Sequence, residues 1–165
     1  MKTKKYEKII SELEYSMNKD YYYLSNISNF TAIIYKYFNN ISWIGFYLDL
    51  DLNLDNNYLY LGPFQGNPAC AMIKKGNGVC GTSYKNNEIL NVENVHNFKG
   101  HIACDSRTNS ELVIPFNFGK IKGVLDLDSY KYNYFNDIDI KYLKKALDIL
   151  KNNIFNWLLS NFKIK

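Results

Sequence analysis

The chain reads as an α+β fold, an antiparallel sheet with helices packed against it. Three observations predict this. Helical periodicity is confined to the two ends of the chain, strand-like alternation fills the middle, and a tight turn joins the last two strands. The 165 residues, 47% of them hydrophobic, suit one compact domain over residues 1–165 that can bury a real core. Residues of about 1–19 read as an N-terminal helical extension of it.

Tyr6, Ile9, Ile10, Leu13 and Met17 recur at helical spacing and predict a helix over residues 4–18. Asp20 is placed to cap a second helix through YYYLSNISNFTAIIYKYF. ISWIGFYLDL (41–50) reads as a strand, LDNN (54–57) as a turn, and NYLYLGPF (57–64) as a second strand. QGNPACAMIKKGNGVCG (65–81) is broken by Gly and Pro and reads as loop. EILNVEN (88–94) is a short strand, and residues 95–109 form a second irregular loop. ELVIPFNF and KIKGVLDLDS pair across a turn at Gly119–Lys120. Asn136 or Asp137 caps a last helix to about Phe162, with acids in its first turn and lysines near its end. Trp157, Leu158 and Phe162 give that helix an apolar spot, suited to packing within the chain or to a homodimer contact.

Composition narrows the function classes. A net charge of +4, with lysines scattered along the chain, provides no basic patch for nucleic acid. No apolar run approaches the ~20 residues of a membrane span. The charged start, MKTKKYEKIISELEYS, is not followed by the apolar core of a secretory signal. Three cysteines, an odd number, cannot form a complete internal disulfide framework. A reducing cytoplasm is the expected setting, where clustered cysteines serve catalysis or metal binding.

Strand alternation divides the sheet into two faces. Ile44, Phe46, Leu48, Leu112, Ile114, Phe116, Leu125 and Leu127 make an apolar face suited to helices. Trp43, Tyr47, Glu111, Asp126 and Asp128 fall on the other. That second face either meets water, as is common for antiparallel sheets, or lies beneath the two long loops. Acids and aromatics under loops would form a pocket for a small cationic group with an apolar neighbour. Cys70, Cys80 and Cys104 all fall in or beside those loops, as do His96 and His101. The residue pattern leaves three readings open: buried structural thiols, an irregularly spaced zinc site, and redox cysteines with Cys104 as the nucleophile. The histidines read as loop residues sooner than as catalytic ones.

Several blocks point further. SWIGFYL (42–48), LGPFQGNPAC (61–70), GNGVCGTS (76–83), FKGHIACDSRTNSELVIP (98–115) and GVLDLDS (123–129) occur in that order. Together they resemble the free methionine-(R)-sulfoxide reductases, a catalytic branch of the GAF-domain fold. The resemblance runs through roughly residues 20–160. It implies a GAF-like antiparallel sheet with helices on one face and ligand-covering loops on the other. It also implies that Cys104 is the nucleophile, Cys70 the main resolving cysteine and Cys80 an alternative. Trp43 and Tyr47 would surround the methyl end of the substrate, and Glu111, Asp126 and Asp128 would hold it. Glu111 or Asp128 would then supply the proton. The implied reaction reduces free methionine-R-sulfoxide with no bound metal or organic cofactor. Thioredoxin would be the external reductant, supplied by NADPH through thioredoxin reductase. Lys99 departs from the family's usual proline, and Asn67 replaces a commonly basic residue. A non-catalytic GAF sensor for a small ligand and a zinc-stabilised interaction module are the competing readings.

Overall fold

The computed structural model describes residues 2–50 and 55–161, the last seven of these as backbone only. Its centre is a six-stranded sheet. The strands are β1 (Ile41–Asp49), β2 (Tyr58–Gly66), β3 (Met72–Lys74), β4 (Leu90–Val92), β5 (Ser110–Asn117) and β6 (Lys122–Ser129). They lie in the order β3-β2-β1-β6-β5-β4, and each neighbouring pair is antiparallel. β1 and β6 are therefore the central strands, bounded on both sides and rich in buried residues.

Helices α1 (Lys2–Ser16), α2 (Tyr23–Tyr37) and α4 (Asp137–Asn161) cover one face. Tyr6, Ile9 and Leu13 of α1, Phe30 and Ile34 of α2, and Leu143, Leu147 and Leu150 of α4 supply the helical side of this core. Ile44, Phe46, Leu112, Ile114, Leu125 and Leu127 supply the sheet side, as period-two alternation requires. A second, smaller core lies across the sheet, where Trp43, Tyr47, Leu59, Ile73, Val79, Cys80, Val113 and Val124 pack together. The face that carries the acids is therefore covered, not open to water. Its cover is the loop segments plus a short helix, α3 (Gly78–Asn86).

The start of α4 is fixed by a reciprocal cap. Asn136 Oδ1 accepts from the Ile138 N–H at 3.0 Å, and Asp139 Oδ2 accepts from the Asn136 N–H at 2.8 Å. Asp139, 1% exposed, also accepts from the Tyr6 hydroxyl at 2.7 Å and pairs with the Lys2 ammonium. One carboxylate thus ties α1 to α4.

Two sequence expectations are corrected. Asp20 does not cap α2, which begins at Tyr23 after Tyr22 with no side-chain cap. The turn is pinned instead by Asn26, whose amide donates to the Asn18 carbonyl at 2.8 Å and accepts from the Asn18 N–H at 3.2 Å. Residues 65–81 are not continuous loop. They contain β3 and the first turn of α3, elements too short to show a period between the glycines. The lysines expected near the end of α4, Lys163 and Lys165, lie outside the described residues. Phe162, the side chains of Trp157 and Leu158, and Leu54 of the 54–57 turn lie outside the described residues. No described helix is long and apolar enough to cross a membrane.

Asp139→Ala removes the acceptor for a buried tyrosine hydroxyl, a lysine and a capping amide at once. Urea unfolding is expected to show a loss of about 3 kcal/mol. Tyr6→Phe, which removes one donor and keeps the packing, is expected to cost about 1 kcal/mol.

Candidate active site

Register places the acids. Asp128 lies opposite Trp43 on β1 and opposite Glu111 on β5. Asp126, two residues back on the same face of β6, lies opposite Gly45 and Val113. The three carboxyl groups meet at the centre of the loop-covered face. Gly45 makes room for the aromatic floor beside them. A Cβ there would lie 2.3 Å from Cη2 of Trp43 and 2.5 Å from Cβ of Phe64, so the indole is seated directly over the glycine. The Trp43 ring stacks on Tyr47 and Phe64 with centroids 5.9 and 5.5 Å away.

The same aromatics hold the segment that follows β2. The indole N–H of Trp43 donates to the Asn67 carbonyl at 3.1 Å, and the Tyr47 hydroxyl donates to the Cys70 carbonyl at 3.0 Å. Cys70 is bonded to Cys104 in a disulfide that closes 34 residues of sequence, with Cα atoms 5.5 Å apart. Cys80 is the remaining thiol. It sits on α3, 3% exposed, with Sγ 3.7 Å from Oε1 of Glu111. Gly81 explains how α3 approaches so closely, since a Cβ there would lie 2.3 Å from the carbonyl oxygen of Lys74.

Trp43, Tyr47, Cys80, Cys104, Glu111 and Asp126 are among the residues that line a common cavity, and Asp128 also borders it. Its volume is about 30 Å³. That is room for water but far below the ~300 Å³ at which small-molecule pockets begin. Three buried polar atoms on its wall have no hydrogen-bond partner among the described residues: Oδ1 of Asp126, Oγ1 of Thr108 and Oγ of Ser42. Buried polar atoms are nearly always satisfied, so three in one cavity mark a place where water or a ligand belongs.

The electrostatics favour protonated acids. Burial, together with the charges of Asp126 and Asp128, pushes the Glu111 carboxyl well above the usual range. Burial does the same for Asp128, helped by Asp126 and Asp105, and raises Asp126 to about 7. The Cys80 thiol is also pushed up, mainly by burial and then by the neighbouring acids. His101 Nε2 approaches Oε2 of Glu111 at 3.6 Å, yet burial and the charge of His96 lower the His101 pKa. Both shifts disfavour the charged forms, so burial works against an ion pair at this contact. His96 stays outside the site, where its ring pairs with the Asn109 side chain at 2.9 Å.

Every site residue expected from the sequence thus gathers in one place. The zinc arrangement does not form. Cys70 and Cys104 bond to each other, and among the described residues the group with metal-ligand spacing is Cys80, Glu111 and Asp126, without a histidine. Two wall residues escape sequence reading. Strict alternation puts Ser42 with the helix-facing side chains, but the β1–β6 register shifts between Ile41 and Trp43, and Ser42 borders the cavity. Thr108 comes from the irregular 95–109 loop, where no periodicity assigns a direction.

No family model matches the chain. The free methionine-R-sulfoxide reductase of Escherichia coli is 43% identical over 126 residues, which span 76% of this chain and 73% of that protein. The chain belongs to the free methionine-R-sulfoxide reductase family. The structure of the Neisseria meningitidis member of that family, in complex with its substrate, superposes with a TM-score of 0.85 at 32% identity, covering 97% of this chain and 94% of that one. The GAF domain-containing protein A of Dictyostelium discoideum is 43% identical over 92% of this chain and 93% of its own length. The architecture is the GAF fold of this family of oxidoreductases.

The raised acids carry a stability cost with a definite sign. Asp126 keeps its proton in the fold up to about pH 7, whereas the unfolded chain loses it near 4. Folding therefore binds a proton in that window, and stability falls as pH rises from about 4 through 7, by on the order of 4 kcal/mol from this group. Asp126→Asn keeps the shape without the charge. It is expected to raise the thermal midpoint most above pH 7, with a gain that shrinks as pH falls towards 4.

Proposed function

We propose that this chain reduces free methionine-R-sulfoxide to methionine through a sulfenic acid on Cys104, which Cys70 resolves as a disulfide. One observation carries the reading. Cys104, bridged to Cys70, stands on the wall of a cavity floored by two buried acids, the half-buried Asp128 and an aromatic pair. In the reduced protein the Cys104 thiolate attacks the sulfoxide sulfur while a neutral carboxylic acid, Glu111 or Asp128, gives a proton to the oxygen. The S–O bond of the substrate breaks, its hydroxyl passes to the Cys104 sulfur as the transient Cys104–substrate S–S bond breaks, and methionine leaves with Cys104 as a sulfenic acid. The Cys70 thiol then displaces it as water and forms the disulfide. An external dithiol, thioredoxin, returns two electrons and two protons, supplied by NADPH through thioredoxin reductase. The chemistry as written requires no metal or bound organic cofactor, and it suits a reducing cytoplasm.

The acids also account for a free amino acid as substrate. An α-ammonium brings the positive charge that the three carboxyl groups lack. Its charge favours the ionised form of Asp126 or Asp128 and offsets the field that this carboxylate sets against the Cys104 thiolate. A peptide-bound sulfoxide presents an uncharged amide at that point and leaves the buried acids uncompensated. Trp43 and Tyr47 supply the apolar wall for the methyl end. Preference for the R epimer comes from the family and not from any contact described above. Cys80 is the weaker candidate for resolution, because Glu111 and the sheet bury it and its thiol resists ionisation. The 30 Å³ cavity of the disulfide form is too small for the substrate, so the part of the 65–81 segment beyond the Asn67 anchor shifts on reduction.

The test is NADPH oxidation coupled through thioredoxin and its reductase, with free R-sulfoxide, free S-sulfoxide and a peptide-bound sulfoxide in parallel. Turnover on the free R form alone is expected. Cys104→Ser is expected to abolish it, and Glu111→Gln to lower kcat by roughly 100-fold, the usual value of a positioned general acid. Full activity in Cys104→Ser would contradict the mechanism. Binding of the R form without turnover by the parent protein would make this a ligand sensor. Reduced Cys104 is expected to ionise at lower pH when a methionine analogue is bound, and an unchanged thiol titration would remove substrate activation.

A further inference from the structure

Asp105 follows the disulfide cysteine Cys104, and its carboxylate collects donors from three segments of the chain. Oδ1 accepts from the Arg107 backbone N–H at 3.0 Å and from its Nε at 3.1 Å. Oδ2 accepts from Nη2 of Arg107 at 2.9 Å, from the Tyr130 hydroxyl at 2.9 Å and from Nδ2 of Asn67 at 3.2 Å. The guanidinium lies over the Tyr130 ring, 4.8 Å from its centroid. The donors hold the Asp105 carboxyl far below the usual carboxylate range, so it is charged at any working pH. Charge-assisted hydrogen bonds of this kind are stronger than neutral ones, and converging donors reinforce one another.

The Arg107 contacts shape the Cys104 loop from within. The contacts to Tyr130 and Asn67 reach outside it. Asn67 precedes Cys70 by three residues and is itself anchored to the Trp43 indole through its carbonyl. The Cys104 loop has little apolar anchorage of its own at this point, with Ile102 and Ala103 both exposed. Asp105 and Asn67 therefore form a polar link between the two cysteine segments, parallel to the disulfide and independent of it.

We propose that Asp105 is a positioning residue for the resolving step: through Asn67 and Tyr130 it keeps the Cys70 segment within reach of Cys104 when the disulfide is open. This rests on the reading of Cys104 as nucleophile and Cys70 as resolving thiol. In that step the S–O bond of the Cys104 sulfenic acid breaks, a bond forms to the Cys70 sulfur, and the hydroxyl leaves with the Cys70 proton as water. The two Cα atoms must lie within about 7 Å for the bond to form. A link that holds their neighbours together raises the local concentration of one thiol at the other. The clasp thus sets how long Cys104 stays as a sulfenic acid, and how exposed it is to further oxidation.

The experiment is a single turnover of the fully reduced full-length protein with one equivalent of free methionine-R-sulfoxide. Methionine is quantified after rapid quenching, and the Cys104 sulfenic acid is trapped with dimedone and read by mass spectrometry beside the disulfide. In the parent, disulfide formation is expected to keep pace with methionine release. Asn67→Ala, Tyr130→Phe and Asp105→Asn are expected to release methionine but to slow disulfide formation, roughly tenfold for Asp105→Asn, the worth of one charge-assisted hydrogen bond. The dimedone adduct on Cys104 rises in step. Asn67→Lys, which offers the same carboxylate a longer cationic donor, is expected to restore the parent rate, a rescue that general damage to the loop would not show. Disulfide formation that keeps pace with methionine in every variant overturns the proposal. So does a methionine step slowed as much as the disulfide step. No methionine from the parent protein would refute the underlying reading and the clasp with it.

Discussion

Three carboxyl groups on the neighbouring strands β5 and β6, with no lysine or arginine among the described residues lining their cavity, are the constraint around which the structure is arranged. Glu111, Asp126 and Asp128 follow from register alone, because β5 and β6 pair Glu111 with Asp128 and the period of two puts Asp126 beside them. Covering them costs stability, since buried acids must either keep their protons or face one another as anions. A structural site of this kind would gain from a basic partner. His101 approaches and is itself pushed toward neutrality by burial. Among the described residues, the cavity wall thus offers these acids no lysine or arginine partner.

The aromatic floor connects this electrostatic trap to the cysteine chemistry. Trp43 and Tyr47 face the acids through their rings, yet their polar atoms are spent on the carbonyls of Asn67 and Cys70. A shift of the Cys70 segment leaves an indole N–H and a phenol O–H without acceptors. The closed arrangement is therefore favoured by polar satisfaction as well as by the disulfide. Opening for a substrate becomes economical when the substrate offers those donors replacement oxygens. A sulfoxide and a carboxylate both do so.

Much of this was legible in the sequence because the relevant signals are strictly periodic. Alternation in WIGFYL, ELVIPF and GVLDLDS assigned every acid and aromatic of the site to the correct face, and the structure confirms each assignment. Asn136 capped the last helix as its position suggested. The failures are equally physical. α3 spans Gly78–Asn86 and contains two glycines, so its weak intrinsic helicity hid beneath turn signals. Its close seat on β3, which needs Gly81, is a tertiary fact. Asp20 had the right chemistry for a cap but sat too early, and a side-chain amide eight residues from Asn18 closed that turn instead. Ser42 was sent to the wrong face by a register shift that no residue type announces. Asp105 has no role legible in one dimension. Its partners Asn67 and Tyr130 lie 38 and 25 residues away, beyond any local pattern.

The central claim is that these buried acids hold their protons until a ligand ammonium arrives. Infrared difference spectroscopy on the Cys104→Ser protein at pH 7 tests it most directly, because binding is then seen without turnover. Adding free methionine-R-sulfoxide should remove a protonated-carboxyl band and raise a carboxylate band, and a peptide-bound sulfoxide should leave both unchanged. A spectrum with no protonated carboxyl before the ligand is added, or the same change with the peptide, would contradict the account.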